Sequence, residues 1–390
     1  MSERIHPFEG YRQIMVRLKS EQRHRILPGY AGEGLTDLLS NDYLGLQRRG
    51  EEFDSLIARN FPRASFSSSA SRLLSRNGNI HVALEKRLER YYGRPALLFN
   101  SGYHANVGII SAMAIPGTLF ICDKAIHASI IDGLSVGKAD YRRFRHNDIK
   151  SLYGVLQRIG DHYERVIIVV ESIYSMDGDC APLHELVKIK RSYPNVILYL
   201  DEAHAVGVRG TMGLGLAEEA GIMDEFDIIV GTFGKALASF GAFAIMVDEI
   251  KDYLINTSRP FIFSTSIPPV NCARSLVMLD TATSMTSERE HLMKLSYKLN
   301  DGISAITGMS TASASQIVPL FTGSAASAVK MAERLREKGF DTLPIRRPTV
   351  PPGGERVRLS LNALLTSDHI DSLLCAIKES YEEIKPIQHS

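Results

Sequence analysis

The sequence predicts an α/β protein: a mainly parallel sheet with helices on both faces, followed by a smaller α+β domain. Three observations carry this. The runs Ala96 to Phe99, Leu119 to Cys122, Val166 to Val170, Val196 to Leu200, Ile228 to Val230 and Ala242 to Val247 are apolar without polar alternation, as strands buried on both faces should be. Helical or loop-sized segments separate them, the pattern of parallel strands joined by crossovers. Past Asn271 the pattern changes to long helices mixed with isolated strands. The 390 residues, 44% of them hydrophobic, allow a large core and more than one domain. Boundaries are placed at 1–45 for an N-terminal helical arm, 46–275 for a large α/β domain and 276–390 for a small C-terminal α+β domain.

In chain order, residues 8–26 carry many charges with Ile14, Val16 and Leu18 among them, which suggests a surface helix of weak period. Pro28 to Gly34 is a connector with three glycines. Ser40 to Gly45 reads by default as an Asx-type turn at Asn41. The small-residue run Ser67 to Ser71 leads into Arg72 to Ser75 and a periodic helix at Val82 to Tyr92, so it reads as an ordered loop. After the strand region come a long helical stretch from Cys272 to Leu299, a strand at Ile317 to Leu320, and a helix from Ala325 to Lys338 capped by Gly339. A proline-rich loop, a strand at Val357 to Leu361 and an amphipathic helix around Ile370 to Ile384 complete the chain.

Several function classes are disfavoured. No apolar run approaches bilayer thickness, and Met1 to Gly10 carries charges and Pro7 where a secretory segment would be apolar, so a cytoplasmic protein with no membrane partner is expected. Lys+Arg 45 against Asp+Glu 44, with no basic block, gives no nucleic-acid surface. Cys122, Cys180, Cys272 and Cys375 are far apart and form no metal-ligand pattern, so they are expected to be buried thiols.

The chemistry gathers where strands end. Gly231 to Lys235 follows the strand Ile228 to Val230, and a lysine there either opens an exposed helix or sits desolvated as a nucleophile able to bond an aldehyde such as pyridoxal phosphate. Asp201 ends the strand Val196 to Leu200, with His204 three residues on. It either caps the next helix or holds a pyridine nitrogen protonated, which makes a pyridoxal ring an electron sink. Asn100 to His104 passes from strand through small residues to a helix start, which is an anion site or an ordinary turn. His127 follows another strand and can stack on a pyridine ring, or it is a surface histidine. Arg356 and Arg358 alternate with apolar residues, and one of them can take a carboxylate through a two-pronged contact or face water at a sheet edge. Neither a Walker A pattern nor a dinucleotide fingerprint is present.

Together these stretches resemble the α-oxoamine synthases, fold-type I pyridoxal-phosphate enzymes that condense an amino acid with an acyl thioester and release CO2. The resemblance runs from about residue 37 to 375. It is carried by Ser-Asn-Asp-Tyr-Leu-Gly at 40–45, Ala-Ser-Arg-Leu-Leu-Ser at 70–75, Asn-Ser-Gly-Tyr at 100–103, His-Ala-Ser at 127–129 and Phe-Arg-His-Asn-Asp at 144–148. Further matches are Glu-Ser-Ile-Tyr-Ser-Met-Asp-Gly-Asp at 171–179, Asp-Glu-Ala-His at 201–204, Thr-Phe-Gly-Lys at 232–235 and Ser-Thr-Ser-Ile-Pro-Pro at 264–269. The resemblance implies a seven-stranded, aminotransferase-like large domain. It also implies covalent cofactor attachment and proton transfer at Lys235, Asp201 on the pyridine nitrogen, His127 stacked on the ring, and His204 and Ser175 on the ring oxygen. Gly102 and Tyr103 would hold the phosphate, with Thr232 nearby and Ser264 or Thr265 reaching in from a second subunit of a homodimer. Asn41 and Arg358 would grip the amino-acid carboxylate. Within the family, the loop at 70–75, Thr-Phe-Gly-Lys and Ile345 to Pro351 point to the member that joins L-alanine to a pimeloyl thioester of coenzyme A or of acyl carrier protein. Glycine-using sister enzymes, or a non-catalytic pyridoxal-phosphate-binding subunit, are the alternatives. Arg76 stands where the family has Gly and Arg347 where it has Pro, both near the expected acyl channel, and Arg23 or Arg25 is a candidate for a distal carboxylate.

Overall fold

The computed structural model describes residues 6–21, 23–27, 29, 34–75, 78–159 and 162–384. The N-terminal part holds α1 (Glu9–Ser20), β1 (Thr36–Asp37), α2 (Gly50–Asn60) and α3 (Asn79–Tyr92). Strands and helices then alternate: β2 (Ala96–Phe99), α4 (Gly102–Met113), β3 (Thr118–Asp123), α5 (Ala128–Gly137), β4 (Asp140–Phe144), α6 (Ile149–Ile159), β5 (Arg165–Glu171), α7 (Leu183–Ser192), β6 (Val196–Asp201), α8 (Leu216–Glu219), β7 (Ile228–Thr232) and β8 (Ala242–Ile245). Helices α9 (Asp248–Thr257), α10 (Arg259–Phe263), α11 (Pro269–Thr283) and α12 (Thr286–Thr307) lead into the last part. That part contains β9 (Ile317–Phe321), α13 (Ala325–Glu337), β10 (Phe340–Asp341), β11 (Pro344–Ile345), β12 (Arg356–Ser360) and α14 (Ser367–Ile384).

Seven strands form one sheet in the order β2-β8-β7-β6-β5-β3-β4. Strands β3 to β7 pair in parallel, and β8 alone runs against its neighbours β2 and β7. The unbroken apolar runs explain the layers. Phe120, Cys122, Ile167 and Val169 pack on Ile109 of α4 and Ile130 of α5, while Leu119, Ile121, Ile168 and Val170 face the side of Leu84 and Leu186. Each such residue contributes about 1.5–3 kcal/mol when fully buried, so both faces have to be covered. Helix α4 lies close against α5 because Gly133 has no side chain; a Cβ there would stand 2.9 Å from Ile110 Cβ.

The C-terminal strands form an antiparallel sheet, β11-β12-β9. Strand β1 pairs in parallel with β10, Thr36 opposite Phe340. Leu38 C=O then accepts from Ser360 N–H (3.0 Å) and Tyr43 C=O from Ala363 N–H (2.8 Å), which carries residues 38–43 alongside β12. The turn at 40–45 is held by other side chains than expected. Asp37 accepts the N–H groups of Leu39 and Ser40, and Asp42 those of Leu46 and Gln47, which leaves Asn41 free for the site.

Other differences from the sequence reading have simple causes. Strand β4 was not foreseen because it is an edge strand whose first four residues are exposed. The stretch Cys272 to Leu299 is two helices; Arg289 of α12 donates to Ala282 C=O at 2.5 Å and so satisfies the end of α11. The expected helix at 8–26 is α1 alone, with no buried residue. Cys122 and Cys272 are buried, but Cys375 is exposed and Cys180 half-buried, which corrects the expectation of four buried thiols. Among the described residues no helix is long and apolar enough to cross a membrane.

Gly178 closes the loop after β5 with φ +70°, and a Cβ on it would run into the Ile317 carbonyl of β9. Gly178→Ala is therefore expected to lower stability by about 1–3 kcal/mol, the cost of a strained backbone, read as the midpoint of chemical denaturation. An unchanged midpoint would mean that the loop and β9 can separate freely.

Candidate active site

In a parallel sheet the carboxyl ends of the strands share one edge, and the crevice beyond them takes ligands. Here β3, β5, β6 and β7 bring Asp123, Glu171, Asp201 and the Thr232 to Lys235 loop to that edge. The loop is shaped by its own bonds. Thr232 Oγ1 donates to Gly241 C=O (3.1 Å) and accepts Gly234 N–H (3.2 Å), and Phe233 N–H donates to Gly241 C=O (2.9 Å). Lys235 stands at its tip, half-buried.

The Lys235 amine lies 2.8 Å from His204 Nε2. Burial pulls it down to about 8, against the opposing pull of Asp201 and Glu171. The ring of His204 is buried, and burial, with Lys235 and Arg358 nearby, holds its pKa well below the usual value, so it is neutral. Its Nδ1 is 2.7 Å from Tyr43 Oη, and Tyr43 donates to Asn41 Oδ1 at 2.8 Å. This pattern puts the imidazole proton on Nδ1 and leaves Nε2 to accept from Lys235. Arg358 completes the chain of contacts. Its Nη2 donates to Asn41 Oδ1 (3.0 Å) and Tyr43 Oη (3.2 Å), its Nη1 to Ser360 Oγ (2.7 Å) and its Nε to the Ser175 carbonyl (2.6 Å). Lys235, His204, Asn41, Arg358 and Ser175 therefore meet, and a carboxylate on Arg358 has to displace or share a protein partner. Arg356, two residues away, is buried against Asp177 and over the Phe321 ring at 4.6 Å, so Arg358 is the arginine in the site.

Asp201 and Glu171 lie side by side in register. Asp201 Oδ1 accepts Ala203 N–H (2.9 Å) and Oδ2 accepts Asn106 Nδ2 (2.8 Å). Burial, and then Asp201, raises the pKa of Glu171 well above the ordinary carboxylate range, against the opposing pull of Lys235. His127 caps α5; its Nδ1 accepts Ser129 N–H (3.2 Å) and lies 2.7 Å from Ser129 Oγ. Burial lowers its pKa.

The start of α4 is built for an anion. Ser101 Oγ takes His104 N–H (3.2 Å), and the first intrahelical bond is Ala105 N–H to Ser101 C=O (3.0 Å), so the N–H groups of Gly102 and Tyr103 have no helical acceptor. A Cβ on Gly102 would meet nothing within 4 Å, so there is room in front of them. A free amine of low pKa, a buried carboxylate with spare lone pairs, a neutral histidine and open helix N–H groups fit an aldehyde, a pyridine nitrogen, a ring and a phosphate. This is the donor set that pyridoxal phosphate needs. Within one chain Thr265 C=O accepts Asn100 Nδ2 at 2.7 Å, just past the end of β2.

A basic cleft of about 340 Å³ is lined by Arg23, Arg25, Arg346, Arg347 and Thr349. Its wall residue Ile345 pairs with Arg356 of β12, and Arg25 Nη2 donates to Thr349 Oγ1 at 3.0 Å. Arg76 lies outside the described residues. Sequence reasoning missed Tyr43, Asn106 and Glu171 as parts of the site. Tyr43 and Glu171 stand inside the motifs that were singled out, but Asn106 is one turn past Gly102 in a helix with no polar signal.

The motifs at 144–148 and 171–179 meet at His146. Its Nδ1 is 2.9 Å from Asp123 Oδ1 and its Nε2 2.8 Å from Asp179 Oδ2. The Tyr174 ring packs edge-on to it at 4.4 Å. Burial alone would lower its pKa, but the two carboxylates outweigh it and hold it up at about 10.

Comparison with known proteins identifies the family and the fold. Residues 33–377 match the model of the aminotransferase class I and II family. The chain is 43% identical over 373 residues to the 8-amino-7-oxononanoate synthase of Chlorobaculum parvum, covering 92% of this chain and 95% of that one. A lysine-to-alanine variant of the serine palmitoyltransferase of S. paucimobilis, solved with a bound PLP–myriocin aldimine, superposes with a TM-score of 0.85 at 28% identity, over 97% of this chain and 98% of that one. The crystal structure of the 8-amino-7-oxononanoate synthase of Francisella tularensis gives a TM-score of 0.77 at 26% identity, over 90% and 99%.

The sign of the His146 effect follows from its raised pKa. The folded state keeps the proton that the unfolded state loses near 6.5, so the stabilisation is full below about 6.5 and is lost as pH rises toward about 10. His146→Gln should cost about 2–3 kcal/mol near pH 6.5, after discounting for partial exposure. The gap to the wild type should shrink steadily toward pH 10 in denaturation curves, and a gap independent of pH would contradict a charged His146.

Proposed function

Since the chain belongs to the aminotransferase class I and II family, and within it to the α-oxoamine synthases, we propose that this pyridoxal-phosphate enzyme condenses L-alanine with a pimeloyl thioester. The products are 8-amino-7-oxononanoate, CO2 and the free thiol, and the reaction serves biotin biosynthesis. The observation that carries the reading is the single network joining Lys235 Nζ, His204, Tyr43, Asn41 and Arg358. It sets a proton-transfer amine at one end and a carboxylate grip at the other.

Bound pyridoxal phosphate supplies an electron sink, spreading the negative charge that builds at the amino acid's α-carbon. Gly102 and Tyr103 hold its phosphate through their N–H groups. Thr232 stands by, although its hydroxyl proton is engaged by Gly241. Asp201 keeps the ring nitrogen protonated, His127 covers the ring face, and His204 and Ser175 meet the ring oxygen. Arg358 and the Asn41 amide hold the alanine carboxylate, the group that leaves as CO2. With a pKa of about 8, the Lys235 amine is neutral in a useful fraction at physiological pH and takes the α-proton at Nζ.

The cleft of Arg23, Arg25, Arg346 and Arg347 suits the anionic acyl donor, carried by coenzyme A or acyl carrier protein. A homodimer with shared sites completes the reading. Tyr103, Phe240 and Phe263 are exposed next to site segments, as expected of surface that a partner covers, and Ser264 or Thr265 of the partner subunit would then reach the phosphate.

The test is thiol release by the purified, cofactor-loaded protein, with alanine, glycine and serine crossed against pimeloyl, succinyl and acetyl thioesters. Release is expected for alanine with pimeloyl. Turnover with glycine and a short acyl group would move the chain to a sister activity. Lys235→Ala should lower the rate about a thousandfold or more, and a near-normal rate in that variant would overturn the mechanism.

A further inference from the structure

We infer that Asn106 is a positioning residue for this reaction, its one amide holding both Asp201 and, through Ser129, His127. Asn106 Nδ2 donates to Asp201 Oδ2 at 2.8 Å and to Ser129 Oγ at 2.9 Å. Its Oδ1 accepts from Tyr199 Oη at 2.6 Å, which fixes which way the amide faces. Ser129, having accepted from Asn106, gives its own proton to His127 Nδ1 at 2.7 Å. His127 therefore carries its proton on Nε2. Asn106 is 2% exposed, Ser129 and Tyr199 0% and Asp201 5%, so water offers none of them a substitute partner.

The residue type is dictated. Two donors and one acceptor are needed in one flat group, and only a primary amide provides them. An aspartate would set a second charge against Asp201, and an apolar residue would strand three buried polar groups. Position matters as well. Asn106 lies four residues past Gly102 on α4, so the helix whose first N–H groups face the phosphate also braces the ring's carboxylate and histidine. That helix is locked in turn against α5 through Gly133. The titratable groups around Asp201 are Glu171 from β5, Lys235 from the loop after β7, His127 at the start of α5, Tyr199 on its own strand, and Glu202, the next residue.

The inference rests on the reading that Asp201 and His127 meet the cofactor ring, and the experiment separates the two. The visible absorption of the bound cofactor is titrated with pH in the wild type, Asp201→Asn, Asn106→Ala and Ser129→Ala. Cofactor dissociation constants and melting temperatures of the cofactor-free proteins are measured alongside. Asn106→Ala is expected to move the spectral midpoint by about half a pH unit or more and to weaken cofactor binding roughly tenfold, the size expected when a buried carboxylate loses a hydrogen bond. Ser129→Ala, a small truncation that should fold even if Asn106→Ala does not, is expected to move the midpoint less while leaving the affinity within about threefold. If Asp201→Asn shifts the spectrum but neither of the other variants does, and only melting temperatures fall, Asn106 is merely structural and the inference is wrong. If Asp201→Asn also leaves the spectrum unmoved, the reading beneath it fails.

Discussion

A primary amine 2.8 Å from an unprotonated imidazole nitrogen is an arrangement that a solvated surface does not maintain. It exists because Lys235 and His204 are both drawn out of water, which disfavours charge on each. Once His204 is neutral its other nitrogen needs a fixed acceptor, and Tyr43 supplies it. Tyr43 in turn gives its proton to Asn41 and receives Arg358. A segment near the N-terminus, the ends of two central strands and a strand near the C-terminus are thus bound into one network by the requirement that buried polar groups be paired.

The acidic strand ends obey the same requirement in three ways. Asp123 is met by the imidazolium of His146, Asp201 by backbone and amide N–H groups, and Glu171 is shifted by burial toward its neutral form. Leaving such groups ionised and unpaired would cost several kcal/mol each. A parallel sheet creates the problem by gathering these side chains on one edge, and it creates the opportunity as well. Differently protonated groups a few ångströms apart are what acid–base chemistry on a bound ring needs.

Much of this was legible in the sequence, for identifiable reasons. Unalternating apolar runs gave the central strands, and Asp201 and Lys235 were findable because each follows such a run. Strand β4 was hidden because an exposed edge strand lacks the apolar signal, and the break between α11 and α12 was hidden because it depends on Arg289 reaching back from the next helix. Pattern alone left Arg356 and Arg358 equivalent; the structure separates them by giving Arg356 to Asp177. Asn106 gave no sign, since an asparagine in an apolar helix reads as an imperfection until Asp201, Ser129 and Tyr199 converge on it from distant parts of the chain.

The central claim is that Lys235 is the cofactor's point of attachment. Its most direct test is to load the protein with pyridoxal phosphate, reduce it with borohydride, digest it and locate the added mass. The account predicts a stable label on the peptide that contains Lys235 and its loss in Lys235→Ala. A label confined to another lysine, or none on the wild-type protein, would contradict it.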